Sequence, residues 1–318
     1  TGGPGSGKTT ISIFKASQVA ELILQPEQKI LFLSFANATI SRVIEAIEYE
    51  QKISAEQKKK IEVQTYHSFF WRILKTYGYL IGLPRMLTIL TPPKEAIALS
   101  SIRIDYASES KLNDVEKLEK MNKEVAELKR LAFNDGLICF SFFAQFTSDI
   151  VKNSDRIRGL IAAKYPIIIL DEFQDTNRAQ YDLIKTLARS PYEVTVCADD
   201  DQAIYRWRGA SYNNILQFRK DFPKLTEVFL VKNYRSKQNI LDLSYNFIKA
   251  NDPNRLECVS KINKKLIAPD KKKGKIEYLN FKTSDEEAKG VANKIVEIMS
   301  KDPEATPNDF AVLVRANN

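Results

Sequence analysis

The chain begins with TGGPGSGKTT (Thr1–Thr10), which contains the phosphate-loop pattern G-x-x-x-x-G-K-[ST]. Glycines in this pattern let backbone N–H groups turn inward around phosphate oxygens. Lys8 is expected to reach the terminal phosphates of a nucleotide, and Thr9 to hold a magnesium ion through its hydroxyl. A helix that begins near Lys8 would add the positive end of its dipole to the same place. The motif therefore predicts an α/β fold that binds a nucleotide.

Composition excludes several classes of protein. The 318 residues are 44% hydrophobic and 28% charged, which is typical of a folded chain of two domains. No uninterrupted apolar run approaches the roughly 20 residues that a bilayer-spanning helix needs, so no membrane is expected. Three cysteines spaced far apart fit neither a disulfide framework nor a zinc site, and they predict a reducing, cytoplasmic compartment. His67 is the only histidine, which excludes multi-histidine metal sites, and the net charge of +8 permits a polyanionic partner.

Short apolar runs alternate with helical patterns, which indicates a mostly parallel sheet with helices on both faces. The predicted strands are Ile30–Phe35, Ile61–Thr65, Ile167–Leu170 and Val194–Ala198. The helix after the phosphate loop is expected to bury one face made of Ile13, Ala16, Ala20 and Leu24. A second, smaller set comprises the strands Val228–Leu230, Ile276–Phe281 and Ala311–Val314 and the helices Gln238–Lys249 and Asp285–Met299.

Two stretches interrupt this alternation. Leu83–Pro93 contains three prolines, and after it Asp114–Leu131 is strongly helical, which predicts a helical insertion. The expected apolar stripe and ion pairs of that helix are Val115, Leu118, Val125 and Leu128, with Glu116–Lys120 and Glu119–Lys123. Lys261–Lys275 holds seven lysines and one aspartate, and a solvated loop is expected there in preference to a contact with a phosphate backbone.

A second chemical motif is YPIIILDEFQDTN (Tyr165–Asn177). Its apolar strand ends in Asp171 and Glu172, so two carboxylates lie at the carboxyl edge of the sheet, where α/β proteins bind ligands. Asp171 is expected to hold magnesium through water beside Thr9, and Glu172 to orient or deprotonate the attacking water. This pair beside a phosphate loop predicts hydrolysis of a nucleoside triphosphate.

A third motif is VTVCADDDQAIYRWRGA (Val194–Ala210), in which a strand again ends in polar residues. Gln202 is placed to sense a terminal phosphate. Tyr205 and Trp207 are interleaved with arginines, including Arg208, and rings flanked by guanidinium groups suit single-stranded nucleic acid. The pattern predicts a single-strand binding surface.

These motifs, in this order, resemble those of the UvrD/Rep/PcrA family of superfamily 1 DNA helicases. The resemblance also includes NYRS (Asn233–Ser236), LFLSFANA (Leu31–Ala38), VQTYHSF (Val63–Phe69) and AVLVRANN (Ala311–Asn318), and it covers the whole chain. It implies a first RecA-like motor domain over residues 1–84 and 135–226, a helical insertion over 85–134, and a partial second RecA-like domain over 227–318. It also implies ATP and Mg2+ as cofactors, single-stranded DNA and single-strand/double-strand junctions as partners, and 3′-to-5′ movement in repair or replication.

Site residues are carried over from the same resemblance. The implied catalytic residues are Lys8, Glu172, Gln202 and Arg235, where Arg235 is an arginine finger. The implied nucleotide contacts are Gly3, Pro4, Gly5, Ser6, Gly7, Lys8, Thr9, Thr10, Tyr234 and Arg235, and Tyr234 would stack on adenine. The metal site would be Thr9 and Asp171. The implied DNA contacts are Phe35, Asn37, Thr65, His67, Tyr205, Trp207 and Arg208, although a structural role is a rival explanation for His67.

Three functions remain possible from the sequence. The favoured one is a DNA-dependent ATPase motor of UvrD/Rep type. The motor could instead belong to a helicase–nuclease assembly of RecB or AddA type, or the chain could be a DNA-binding module whose ATPase has decayed. Thr1 alone precedes the phosphate loop and FAVLVRANN (Phe310–Asn318) reads as a strand entering a loop, so we expect a longer protein. Residues 1–318 by themselves are then expected to bind ATP–Mg weakly and to unwind DNA poorly.

Overall fold

The computed structural model describes residues 1–188, 193–203, 213–270 and 272–314. The chain divides into two compact units, Thr1–Lys272 and Lys273–Asn318, and each is described by itself. Since neither unit begins at the predicted domain boundary after residue 226, the domain limits given above stay predictions.

Within its described residues, the first unit contains six strands and thirteen α-helices. The strands are β1 (Ile30–Ser34), β2 (Ile61–Thr65), β3 (Thr88–Leu90), β4 (Leu137–Cys139), β5 (Ile167–Leu170) and β6 (Glu193–Val196). The helices are α1 (Lys8–Leu22), α2 (Asn37–Tyr49), α3 (Ala55–Lys59), α4 (Tyr66–Tyr77), α5 (Pro92–Ala98), α6 (Ser100–Ile104), α7 (Asp114–Asp135), α8 (Phe140–Asn153), α9 (Asp155–Lys164), α10 (Arg178–Leu187), α11 (Asn213–Asp221), α12 (Gln238–Ile248) and α13 (Leu256–Ser260).

The central sheet is fully parallel, with the strand order β2-β1-β5-β6. Alternate residues of its strands pack into two separate cores. Ile30 and Phe32 face a core with α1 and α2, whereas Leu31 and Leu33 face a core with α4, α8 and α10. Helices therefore cover both faces, which explains why the central strands β1 and β5 are almost continuously apolar. The predicted α/β class with a parallel sheet is confirmed, and all four predicted strands of this sheet form, within two residues of the expected limits.

The predicted buried face of α1 is also confirmed. Its four apolar positions are nearly inaccessible, namely Ile13, Ala16, Ala20 and Leu24, the last lying just beyond the helix. Because these side chains recur every three or four residues, they fall on one side of the helix and meet the sheet together. This packing fixes the direction in which the start of α1 points.

Helices α5 to α7 lie between β3 and β4, two short parallel strands that form a sheet of their own. The predicted long helix forms as α7, but only its C-terminal half is buried. Leu128 is buried, whereas Val115 and Leu118 are 76% and 54% exposed. Of the two predicted ion pairs, Glu119–Lys123 forms at 2.9 Å. Glu116 instead accepts a hydrogen bond from the Asn113 backbone N–H and completes a capping box, because the free N–H groups of a helix start attract a carboxylate.

Residues after 226 contain the predicted helices but none of the predicted strands. Helix α12 ends one residue earlier than expected, and in the second unit α14 (Ser284–Lys301) extends the predicted helix at both ends. Leu230 forms only an isolated bridge with Gly2, and residues 276–281 and 311–314 have no strand assignment. The strand predictions there are wrong, because a strand exists only where a neighbour completes its hydrogen bonds. Phe281 packs against Gly290 of α14 instead.

Parallel strands bring their carboxyl ends to one edge of the sheet. The segments that follow β1, β2, β5 and β6 at this edge carry the residues singled out in the sequence, from Phe35 to Gln202. The fold therefore brings to one edge residues that are far apart in the chain, from Phe35 to Gln202.

Candidate functional site

The phosphate loop is closed around its own lysine. Gly5 and Gly7 have φ angles of 70° and 83°, in the left-handed region that side chains disfavour. The hydroxyl of Ser6 donates to the carbonyl of Gly3 at 2.8 Å. Lys8, 9% exposed, donates from Nζ to the carbonyls of Gly2 at 2.8 Å and Gly3 at 3.2 Å. An ammonium held this way is aimed into the loop, where an anion would meet it.

The predicted metal-binding pair lies together. Asp171 follows β5 and is fully buried, and its Oδ2 accepts a hydrogen bond from the Thr9 hydroxyl at 3.0 Å. Burial raises the pKa of Asp171, the Glu172 charge adds to this rise, and the hydrogen bond from Thr9 opposes it. A hydroxyl and a carboxylate supply the hard oxygen donors that Mg2+ prefers, so these two residues fit that ion.

Glu172 has a strained backbone. Its φ of 50° is one of only two positive values at non-glycine positions among the described residues. Such a conformation costs about 1–3 kcal/mol and is found mainly where function demands a particular side-chain direction. The Glu172 carboxylate, half-buried, accepts a hydrogen bond from Gln174 Nε2 at 2.7 Å. The side chain is therefore held next to Asp171 in a defined orientation.

Gln174 links this carboxylate to the third motif. Its Oε1 accepts a hydrogen bond from the Asp199 backbone N–H at 2.9 Å, and it is 1% exposed. Asp199 Oδ2 in turn accepts from Gln202 Nε2 at 2.7 Å. The structure thus places the predicted phosphate sensor Gln202 on Asp199, two hydrogen bonds away from Gln174.

The NYRS segment lies directly on the phosphate loop. Asn233, 1% exposed, donates from Nδ2 to the Pro4 carbonyl at 2.5 Å, and the Tyr234 N–H donates to the Gly5 carbonyl at 2.9 Å. A Cβ added to Gly5 would lie 2.7 Å from the Cβ of Arg235, so glycine is required for this close approach. Arg235 itself is exposed.

Asn233 is a residue whose importance the sequence reasoning missed. Its Oδ1 also accepts hydrogen bonds from the backbone N–H groups of Arg235 at 2.9 Å and Ser236 at 2.7 Å. An asparagine that turns the chain before a helix commonly makes such bonds, and this was the available signal. One side chain thereby fixes the turn and attaches it to the phosphate loop.

Of the predicted DNA contacts, four lie in the described part of the chain. Phe35 is half-buried and Asn37 is exposed at the start of α2. Thr65 caps α4, since its Oγ1 accepts from the Ser68 N–H at 3.1 Å. Tyr205, Trp207 and Arg208 lie outside the described residues.

His67 packs against aromatic rings. The centroids of the Phe140 and Phe143 rings lie 5.5 and 6.0 Å from that of the imidazole, both edge to face. This packing matches the structural role considered as the rival explanation, and a contact with DNA stays a prediction for His67.

The expectation of a solvated lysine loop is wrong at Lys264. This lysine is 9% exposed, and its Nζ lies 3.0, 2.5 and 2.8 Å from carboxylate oxygens of Asp199, Asp200 and Asp201. Sequence composition pointed to solvent because lysine runs are usually solvated. The available signal was the row of three aspartates, since buried carboxylates require a cation.

Asp175, in the DEFQDTN motif, should make stability depend on pH. Burial first and the Glu172 charge second raise its pKa to about 6, and its Oδ1 is buried with no hydrogen-bond partner among the described residues. The native state therefore holds this proton more tightly than the unfolded chain, so its contribution to stability is lost as the pH rises from about 4 through 6.

We accordingly expect Asp175→Asn to raise the free energy of unfolding at pH 8 by about 1 kcal/mol. A shift of two pKa units is worth roughly 3 kcal/mol, but water screens a half-buried group. Urea unfolding at pH 8 and pH 4 measures the effect, with equal stability of variant and parent expected at pH 4. A variant less stable than the parent at pH 8 would contradict this assignment.

A phosphate loop that precedes α1, with two carboxylates after a neighbouring parallel strand, defines the class of P-loop nucleotide-binding proteins. Comparison with known proteins then gives the family. The family description "UvrD/REP helicase N-terminal domain" matches residues 1–135 and 93–223, and "UvrD-like helicase C-terminal domain" matches residues 228–318. The chain belongs to the UvrD/REP helicase family, which confirms the resemblance seen in the motifs.

Relatives named ATP-dependent DNA helicase PcrA align with 99% of the chain. The chain is 28% identical to the protein of Leuconostoc citreum, covering 44% of it, and 28% identical to that of Staphylococcus aureus, covering 45%. The protein of Staphylococcus epidermidis is 27% identical. The chain thus spans less than half the length of the curated relatives it matches. In the described residues, no helix has both the length and the apolar character needed to cross a bilayer.

Proposed function

We propose that this chain is the nucleotide-binding part of an ATP-driven motor that moves on single-stranded DNA. The observation that carries this proposal is the meeting of three motifs at one place. The phosphate loop is hydrogen-bonded to Asp171 through Thr9 and to the NYRS segment through Asn233. Family membership and the names of the PcrA relatives support ATP and DNA as the ligands.

ATP would bind with its phosphates in the loop formed by residues 3–10. Lys8 would exchange its two carbonyl partners for the terminal phosphate oxygens, which carry more charge. Thr9 and Asp171 would hold Mg2+, which supplies positive charge against the phosphates. Tyr234 is 69% exposed and its backbone N–H bonds to the Gly5 carbonyl, so its ring is available to stack on adenine.

Hydrolysis would depend on side chains around the terminal phosphate. Glu172 would accept the proton of the attacking water, in the direction fixed by Gln174. Arg235 would place its guanidinium on the developing negative charge, since its Cβ already lies against Gly5 of the loop. Gln202 would contact the terminal phosphate when ATP is bound and lose this contact after hydrolysis. That change would be passed to the proposed DNA-binding residues that follow it in the chain.

The DNA would pass over the carboxyl edge of the sheet, along Phe35, Asn37, Thr65 and His67 and the residues Tyr205, Trp207 and Arg208. The net charge of +8 suits a polyanion. Movement from 3′ to 5′, a cytoplasmic location, and a role in repair or replication follow from the family resemblance and remain part of the proposal. A RecB- or AddA-like assembly would use the same motor.

The proposal is tested by ATP turnover of the full-length protein, measured without nucleic acid, with single-stranded DNA and with RNA of the same sequence. We expect strong stimulation by DNA and weak stimulation by RNA. Lys8→Ala should abolish turnover in every condition because the phosphates lose their ammonium partner. Turnover that persists in Lys8→Ala, or that ignores DNA, would refute the proposed function.

A further inference from the structure

A cluster of charged side chains joins the DDDQ motif (Asp199–Gln202) to residues 255–264, which follow α12. The ammonium of Lys264 contacts the carboxylates of Asp199, Asp200 and Asp201, whereas Arg255 donates from Nε and Nη2 to both oxygens of Asp201 at 2.8 and 2.9 Å. The guanidinium of Arg255 is also within 3.0 Å of Glu257. We call these residues the aspartate cluster: Asp199, Asp200, Asp201, Arg255, Glu257 and Lys264.

Most of the aspartate cluster is removed from water, and its most exposed members are Asp201 at 19% and Glu257 at 13%. Only 5% of the Lys264 side chain and 4% of the Arg255 side chain are exposed, and Asp199 and Asp200 are exposed by 1% and 4%. Burial works against the charge of Lys264, yet the three carboxylates outweigh it and raise the pKa of this lysine. Because removing one partner of a buried pair leaves an uncompensated charge, each member constrains the others. The acidic row already holds an ammonium, so it is occupied by the protein's own cation.

A short path of hydrogen bonds leads from this ammonium to Glu172. Lys264 Nζ contacts Asp199 Oδ1 at 3.0 Å, and the Asp199 backbone N–H donates to Gln174 Oε1 at 2.9 Å. Gln174 Nε2 then donates to Glu172 Oε2 at 2.7 Å. The second oxygen of Asp199 accepts from Gln202. Along this network, one residue, Asp199, lies between Lys264 and the phosphate sensor Gln202. Two residues, Asp199 and Gln174, lie between Lys264 and Glu172.

We propose that Lys264 is a positioning residue, which fixes the DDDQ turn through the three aspartates and thereby orients Gln202 and the Glu172 carboxylate. The inference rests on the proposed function, in which Glu172 accepts the proton of the attacking water. It adds to that site a lysine that is distant in sequence. The ammonium of Lys264 would keep Glu172, the base, in the orientation that catalysis needs. Loss of the ammonium takes from Asp199 and Asp200 the cation that they share, while Asp201 stays paired with Arg255, so the carboxylates repel one another and the turn moves and the base with it.

The test compares ATP turnover of Lys264→Met with that of the parent. We expect kcat to fall about 10- to 100-fold, because a displacement near 1 Å of a catalytic group costs up to about 10²-fold. KM for ATP should change less than about 3-fold, since the phosphate loop is untouched. Lys264→Arg should restore at least part of kcat. Lys265→Met is the matched control: this neighbouring lysine is half-exposed and pairs with Asp242 at 3.2 Å, and its removal should leave kcat unchanged.

A double-mutant cycle separates positioning from a general structural role. If Lys264 acts in part through Glu172, then Lys264→Met should lower kcat by a smaller factor in the Glu172→Gln variant than in the parent. Hydrogen exchange supplies a second readout, with faster exchange expected for the amides of residues 199–203 in Lys264→Met. Should Lys264→Met fail to fold, its combination with Asp200→Asn removes one charge of each sign and carries the same measurements.

The outcomes separate the two proposals. A full-length parent protein without ATP turnover overturns both proposals. A parent that hydrolyses ATP, together with unchanged kcat in Lys264→Met, or with a loss that adds in full to that of Glu172→Gln, overturns the role of Lys264 and leaves the proposed function standing.

Discussion

Arg235→Ala is expected to lower DNA-stimulated ATP turnover by about 10³- to 10⁵-fold, the range over which an arginine finger accelerates phosphoryl transfer. The reason is where its side chain begins: the Cβ of Arg235 lies so close to Gly5 that a Cβ added to Gly5 would come within 2.7 Å of it. A guanidinium that starts from this point can reach a phosphate held by the loop. Charge that develops on the transferring phosphoryl group would have no partner in the variant. Steady-state turnover with saturating single-stranded DNA measures the effect.

The control for Arg235→Ala comes from the same segment. Lys237 lies two residues further along and its ammonium pairs with Asp270 at 2.8 Å, so Lys237→Ala removes a cation without removing one from the phosphates. It should retain turnover within about 2-fold of the parent, as expected for an exposed ion pair. Equal losses in the two variants would show that general positive charge, and not a finger, is what matters.

Glu172→Gln is expected to lower kcat by about 10²- to 10⁴-fold, the usual contribution of a positioned general base. Glutamine keeps the size of the side chain and one oxygen that can accept the hydrogen bond from Gln174, but it cannot take a proton from water. Affinity for ATP should therefore stay within about 3-fold, because the phosphate loop is unchanged. Single-turnover hydrolysis and equilibrium binding of a fluorescent ATP analogue measure the two quantities separately.

The outcome that counts against this role for Glu172 is a variant that loses binding and turnover together. Such a result would mean that the carboxylate supports the site as a whole, for example by balancing the charge near Lys8, and does not act on the attacking water. Turnover close to that of the parent would exclude Glu172 as the base.

The strands of the central sheet were predictable because each central strand is marked by the residues of its own short stretch of sequence. The runs ILFL in β1 and IIIL in β5 are apolar at every position, which a strand buried on both faces requires, and a polar residue follows each run. By contrast β3 and β4 have three residues each and pair across the whole helical insertion. No periodic pattern can reveal a partner so short and so remote, and these two strands were not predicted.

In the candidate site, too, some features could be predicted from short stretches of sequence and others could not. Glycines at positions that demand a positive φ, and carboxylates after an apolar strand, are written into short motifs such as GGPGSGKTT and DEFQDTN. Burial of Lys264 and the bond from Asn233 to Pro4 depend on residues more than sixty positions apart. Nothing in the sequence around Lys264 or Asn233 indicates that these polar side chains are buried. Their burial is seen only in the folded chain.

The central claim is that a nucleotide held between the phosphate loop and the NYRS segment changes how the protein holds single-stranded DNA. It is tested most directly by the affinity for a single-stranded oligonucleotide measured with a non-hydrolysable ATP analogue, with ADP, and without nucleotide. The account predicts affinities that differ between the first two states by about 5- to 150-fold, the usual range of such coupling, and a loss of that difference in Arg235→Ala. Identical affinity in all three states would contradict it.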